Sequence, residues 1–221
     1  MTIKRIMSST GAAALLAGTA LLGTSTTAAA ATDDPADVPI TATLVAANGA
    51  GCRAPDHGVE VKSFPTGVVQ LNLPRMQAKA GLRNPPSANV ACQVNLNVDV
   101  PAGYTWGLDA VGAKGFAYLA EGTSAKAFVS AYLTGQTATG TVTTELNGKY
   151  SGRWVQLDTP SAEITQACGE DRNLNVTTRV SANAGEDPKK KQAIMTLRSS
   201  GEDDHDVLLG LRPIKCDADQ G

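Results

Sequence analysis

Aromatic side chains are scarce in this chain, with three Phe, four Tyr and two Trp making up 4% of its 221 residues. A core must therefore be assembled from Val, Leu, Ala and Ile. Histidine is scarcer still: His57 sits beside Asp56 in a Gly/Pro-rich turn, and His205 lies in the acidic run Glu202–Asp206. Neither has the spacing of a zinc site or a calcium loop, so no metal or other cofactor is expected. No Gly-x-Ser-x-Gly elbow is present, which removes the commonest serine-hydrolase signature. No Cys-x-x-Cys pair or phosphate-cradling glycine motif occurs either. Basic residues are not in excess, since 19 Lys and Arg face 21 Asp and Glu, and nucleic acid requires a basic face.

What is present begins with an export signal. Lys4 and Arg5 precede the apolar run Gly11–Leu22, and Ala28–Ala31 offers small residues for cleavage. That run is shorter than the roughly 20 residues a membrane span needs, and no later stretch is longer. The reading is a signal peptide over 1–31, a flexible acidic leader over 32–39, and one secreted domain over 40–221. Without Lys4 and Arg5, 17 basic residues stand against 21 acidic ones, a formal charge of −4.

The domain alternates as β structure does. Cys92, Val94, Leu96, Val98 and Val100 share one parity, while Gln93, Asn95, Asn97 and Asp99 share the other. Side chains alternate across a strand, so one face meets a core and the other meets water. Leu174, Val176 and Val180 repeat the pattern, with Asn173, Asn175 and Arg179 facing out. Val59–Ser63 and Val68–Leu73 read as a hairpin around Pro65-Thr66-Gly67. Thr137–Leu146 and Lys149–Val155 read as another around Asn147-Gly148, the strongest two-residue turn signal in the chain. Gln192–Arg198 and Val207–Leu211 read as a third, closing over the acidic tip Glu202–Asp206. Gly112 and Gly115 within Trp106–Leu119 suggest a bulge or bend. The sum is an all-β, antiparallel sandwich of roughly ten strands.

An ordered set of segments carries a resemblance. Asn48-Gly49-Ala50-Gly51-Cys52 follows a short strand, Cys92-Gln93 lies within Asn89–Val100, and Pro101-Ala102-Gly103-Tyr104 comes next. Cys168-Gly169 then leads to Leu174-Asn175-Val176, and Cys216 completes the series. The chain resembles, from about Ile40 to Cys216, a family of small secreted proteins known as domain of unknown function four-three-six-zero. The resemblance implies secretion, β structure and disulfides, and carries no activity. Arg53–His57 and Glu186–Lys191 depart from the family pattern, which bears on local loop shape.

Four cysteines in an exported chain imply two disulfides, and three pairings are possible. Cys52 ends the first turn and Cys92 heads the central strand. Cys168 precedes the Asn173 strand and Cys216 follows the last one. These placements favour Cys52–Cys92 and Cys168–Cys216; the other pairings would link the two halves of the chain.

For function, the expectation is a non-enzymatic extracellular module binding a glycan, a surface or a protein. Phe128 and Tyr132 share a strand face, and Trp106, Phe116 and Tyr118 extend the set of rings available for stacking. Trp106, Phe128 and Tyr132 are the binding candidates. Two alternatives stand beside this reading. One is a hydrolase whose carboxylates, for instance Asp99 and Asp109, converge only in the fold. The other is a protease inhibitor presenting the loop Gly81–Ala88. Asn175-Val176-Thr177 also matches a glycosylation sequon, to which no role is assigned.

Overall fold

The alternating run headed by Cys92 is the second rank of a five-stranded sheet. The computed structural model describes residues 38–53, 58–197 and 206–217. The signal segment, the leader up to residue 37, both histidines and the acidic residues 202–205 lie outside the described residues. Among the described residues there is no helix. The strands are β1 (Thr41–Asn48), β2 (Glu60–Ser63), β3 (Val68–Asn72), β4 (Gln77–Gly81), β5 (Ser87–Asp99), β6 (Tyr104–Leu119) and β7 (Ser124–Leu133). They continue with β8 (Gly140–Asn147), β9 (Tyr150–Asp158), β10 (Ile164–Thr165), β11 (Leu174–Asn183), β12 (Gln192–Thr196) and β13 (Val207–Lys215).

One sheet has the order β1-β5-β11-β7-β8, with every pairing antiparallel. The other contains eight strands, and its registers resolve them into five ranks. Along β6, β13 pairs with Tyr104–Ala113 and β12 with Phe116–Leu119, so these two lie end to end on one edge. The opposite edge of β6 carries β10 at Gly107–Leu108 and β9 at Val111–Leu119. In the same way β3 lies against β13 and β4 against β12, with β2 outside β3. The sandwich is therefore five ranks on five. The count of about ten in the sequence matches the ranks, while interruptions in three of them raise the strand number to thirteen.

Both sheets turn one parity inward. Cys92, Val94, Leu96 and Val98 of β5 face Ala78, Met195, Leu209 and their neighbours in one continuous core. Each fully buried Val or Leu contributes roughly 1.5–3 kcal/mol of transfer free energy. Trp106 is completely buried in the same cluster.

Two expected hairpins are made differently. The Asn147-Gly148 turn is present, with Gly148 at φ +78°. But β8 pairs with β7 and β9 with β6, so the turn carries the chain from one sheet to the other. Asn147 is not in the left-handed region, so the two-residue turn that pairs flanking strands is not formed. Likewise β12 and β13 do not pair with each other; each finds a separate stretch of the long strand β6. The Pro65-Thr66-Gly67 hairpin does form, pairing β2 with β3.

Gly112 and Gly115 do not break β6. The register shift lies at Asp109, the extra residue between Leu108 opposite Leu211 and Ala110 opposite Gly210. Gly115 is required by close approach, since a side chain there would run into the backbone of Thr196.

The cysteines are joined as Cys52–Cys92 and Cys168–Cys216, with Cα separations of 5.0 and 5.9 Å. Bonds of this kind form in oxidising compartments. No helix of the described residues is long and apolar enough to cross a membrane.

Candidate ligand-binding face

The outward parity of the five-stranded sheet is a largely polar surface laid out in rungs. Register places Asn95, Asn175 and Tyr132 in one rung across β5, β11 and β7. The next rung is Gln93, Thr177, Ser130 and Thr141, and the one after it Ala91, Arg179, Phe128 and Thr143. A fourth holds Asn89, Ser181, Lys126 and Glu145. Polar side chains stand here because only the other parity of each strand is needed for the core.

Hydrogen bonds fix much of this surface. The Asn173 amide donates to Asn95 Oδ1 at 2.7 Å, and Asn95 Nδ2 donates to Asn175 Oδ1 at 2.9 Å. Asn175 Nδ2 then donates to Thr134 Oγ1 at 2.8 Å, and Gln93 Nε2 donates to the Tyr132 hydroxyl at 2.9 Å. Asn175 is only 8% exposed. With its amide bonded on both sides, it is poorly placed to act as a glycosylation acceptor.

Openings lie at both ends of this face. At one end, Thr134 and the segment Glu170–Asn173 line a cavity of about 370 Å³. Arg172 shapes it: the guanidinium binds both carboxylate oxygens of Glu170 at 2.6 and 2.8 Å and donates to the Thr134 carbonyl at 2.9 Å. That hydrogen bond, reinforced by the positive charge, holds the Glu170 carboxyl below the usual carboxylate range and the Arg172 guanidinium above its own. At the other end, Ser87, Asn89, Ser124, Lys126, Ser181 and Asn183 help to line a cavity of about 540 Å³. Ser124 opens β7 and Thr134 follows its last residue, ten steps along the chain and about 33 Å at strand rise.

The aromatic candidates occupy three different places. Phe128 and Tyr132 are half-buried on this face, four residues apart on β7. Trp106, counted with them from sequence, is fully enclosed in the core and offers no surface to a ligand. Its position on β6 follows the parity of Leu108, which the Asp109 bulge keeps inward. Phe116 and Tyr118 are exposed on the outward side of the other sheet. No continuous aromatic row therefore exists. What the sequence reading missed was the amide ladder, whose alternation in β5 and β11 was visible but whose cross-strand register was not.

The acids raised for hydrolysis do not meet. Asp99 closes β5 on the polar face, accepting from Asn97 at 3.1 Å, while Asp109 stands outward from the other sheet and pairs with Arg212 at 2.6 Å. Among the described residues, no group of three or more His, Cys, Asp or Glu side chains is placed to hold a metal ion. The loop after β4 is folded back on itself: the Asn84 N–H bonds to the Gly81 carbonyl at 3.0 Å and the Gly81 N–H to the Pro85 carbonyl at 2.8 Å. Leu82 within it adopts φ +55°, a left-handed conformation uncommon for such a side chain.

No curated protein matches the chain. Among solved structures it is similar to the enzymatically active domain of tailspike protein 4 of bacteriophage CBA120, at 14% identity and a TM-score of 0.24. That likeness covers 80% of this chain and 20% of the tailspike chain, so this chain spans about a fifth of that protein's length. A family model matches over residues 39–216. It takes in every described strand and all four cysteines, and the chain belongs to the family described as Domain of unknown function (DUF4360).

Proposed function

We propose that this is a secreted, non-enzymatic module that binds an extended extracellular glycan along the outward face of the five-stranded sheet. The observation that carries the reading is the outward register of β5, β11 and β7. It sets amide side chains and two aromatic rings on one surface, with a cavity at each end. Sugars present hydroxyl groups that amides can bond and C–H faces that stack on rings. A strip of about 33 Å, open at both ends, suits an internal stretch of a linear polymer better than a single sugar. The export signal and the two disulfides support a role outside the cell.

The protease-inhibitor reading has less support. A peptide that binds in extended form adds to a partner as a strand does, whereas the loop after β4 closes on itself through Asn84 and Pro85. The hydrolase reading loses its named pair, because Asp99 and Asp109 face out from different sheets.

The test is a glycan array with the mature protein, followed by calorimetry with any hit. Phe128→Ala and Tyr132→Ala should each weaken binding about threefold to tenfold while the protein stays folded. Unchanged affinity in both variants would overturn this placement of the ligand. Product release from the bound glycan would overturn the non-enzymatic reading.

A further inference from the structure

Arg179 stands exposed in the middle of the polar face, with no carboxylate on the positions around it. Along β11 its outward neighbours are Thr177 and Ser181; across the strands it faces Ala91 on one side and Phe128 on the other. None of these carries a negative charge to neutralise it. The other cations of this face are engaged: Lys126 with Glu145 at 2.7 Å and Arg172 with Glu170 at 2.6 Å. Among the described residues, no carboxylate is paired with Arg179. Glu145 lies two strands and one rung away, about 12 Å by strand geometry, and is already occupied by Lys126.

The neighbours also leave room. Ala91 is small, and Phe128 presents a half-buried ring rather than a competing charge. A guanidinium here projects from the centre of the surface between the two end cavities. It offers a planar fork of donors, the geometry that suits a carboxylate. Without the export signal, 17 basic residues stand against 21 acidic ones, a formal charge of −4. A diffuse attraction for polyanions is therefore absent, and any anion held here is held by local contacts.

We infer that the ligand of this face is an acidic glycan, a polymer containing uronic acid, with one carboxylate bound by Arg179. The inference rests on the glycan reading given above and narrows it to a chemical class. Sugar rings on either side of the bound uronate lie over Phe128 and toward the amide ladder, which fixes the register of the polymer by a single charge.

The test compares polygalacturonate, alginate and hyaluronate with the methyl ester of each, which keeps the backbone and removes the charge. Calorimetry uses the mature protein, its Arg179→Gln variant and its Arg179→Lys variant. At least one acid should bind roughly tenfold or more tightly than its ester, a margin typical of a charge-assisted hydrogen bond. The margin should vanish in Arg179→Gln, survive in part in Arg179→Lys, and shrink as salt is raised. Because Arg179 is exposed, both variants should unfold at the wild-type urea midpoint, which separates lost binding from lost fold. If acid and ester bind equally, or Arg179→Gln retains the preference, Arg179 does not select the ligand, although the glycan reading stands. If array and calorimetry detect no glycan of any kind, both the inference and the reading it rests on are overturned.

Discussion

The carboxylate of Asp206 accepts the backbone N–H of Leu73 at 2.6 Å, joining residues 133 apart in the chain. Leu73 follows β3 and Asp206 precedes β13, so the bond sits where two adjacent ranks of the larger sheet are interrupted. The Asp206 backbone takes part too, donating to the Leu71 carbonyl at 2.9 Å and accepting from the Lys114 N–H at 3.2 Å. One residue thus restores contacts that the breaks would leave open, in a region where Leu73 is 1% exposed.

Removing that acceptor should be costly, because a buried N–H left without a partner bears its full desolvation penalty. Asp206→Ala is expected to lower stability by about 1.5–3 kcal/mol, read from the urea midpoint at unchanged slope. Asp206→Asn retains an acceptor of the same shape and should lose less. Equal losses in the two variants would show that the carboxyl group acts through something other than this bond.

Thr178 gives the opposite sign. Its hydroxyl is buried on the inward side of β11, 1% exposed, with no hydrogen-bond partner among the described residues. Its cross-strand neighbours are Cys92 and Val129. Thr178→Val replaces the hydroxyl with a methyl group of similar volume in apolar surroundings. The variant should be more stable by on the order of 1 kcal/mol. A drop in the urea midpoint would mean that the hydroxyl is satisfied in solution.

Sequence was most informative where one parity is apolar throughout. Cys92–Val98 could be placed in the core from alternation alone, and Leu174–Val180 nearly so, with Thr178 the one polar member of its inward row, because burial on one face fixes the phase of a strand. Cysteine order favoured the pairing that the fold contains. Partners across long distances were not legible. Nothing local to Asn147-Gly148 says that β8 and β9 separate into different sheets, since the preference of the turn is outweighed by what each strand finds to pair with. Trp106 illustrates the same limit: its parity depends on the Asp109 bulge, which exists only because β13 is aligned beside β6. The amide ladder is likewise a property of register. Asn95 and Asn175 are 80 residues apart and meet only when β5 and β11 are paired.

The Glu170–Arg172 pair predicts a pH response at one end of the polar face. The Glu170 carboxyl is held below its ordinary value chiefly by the Arg172 hydrogen bond, which outweighs the opposing effect of burial and is helped to a lesser degree by that residue's charge. A carboxylate with a depressed folded-state pKa contributes stability that is present above its unfolded value and lost as pH falls through the folded one. The pair should therefore be intact at neutral pH and come apart only in acid, below the ordinary glutamate range. NMR titration should place the Glu170 midpoint below the ordinary glutamate range, and Arg172→Gln should raise it. An unmoved midpoint in Arg172→Gln would remove the guanidinium as the cause.

The two disulfides should differ in how readily they are reduced. Cys52 and Cys92 are 5% and 0% exposed, with Cys92 on the inward face of β5, whereas Cys168 and Cys216 are half-buried beyond the ends of β10 and β13. Thiolate attack requires access to sulfur. Mild reductant should therefore open Cys168–Cys216 while Cys52–Cys92 persists, as read by alkylation and mass spectrometry of the folded protein. The bridges span 40 and 48 residues of sequence, and closing loops of this length is worth about 4 kcal/mol each in the chain-entropy description. With a domain stability of about 5–15 kcal/mol, loss of either bridge should lower the urea midpoint markedly. The effects should nevertheless separate by location. Cys168 lies two residues before Glu170, so Cys168→Ser with Cys216→Ser should loosen the Glu170–Arg172 end of the polar face and weaken glycan binding there. Cys52→Ser with Cys92→Ser should act through global stability, leaving affinity near wild type in whatever fraction remains folded. Simultaneous reduction of both bridges, or equal loss of affinity in the two double variants, would rule out this division of roles.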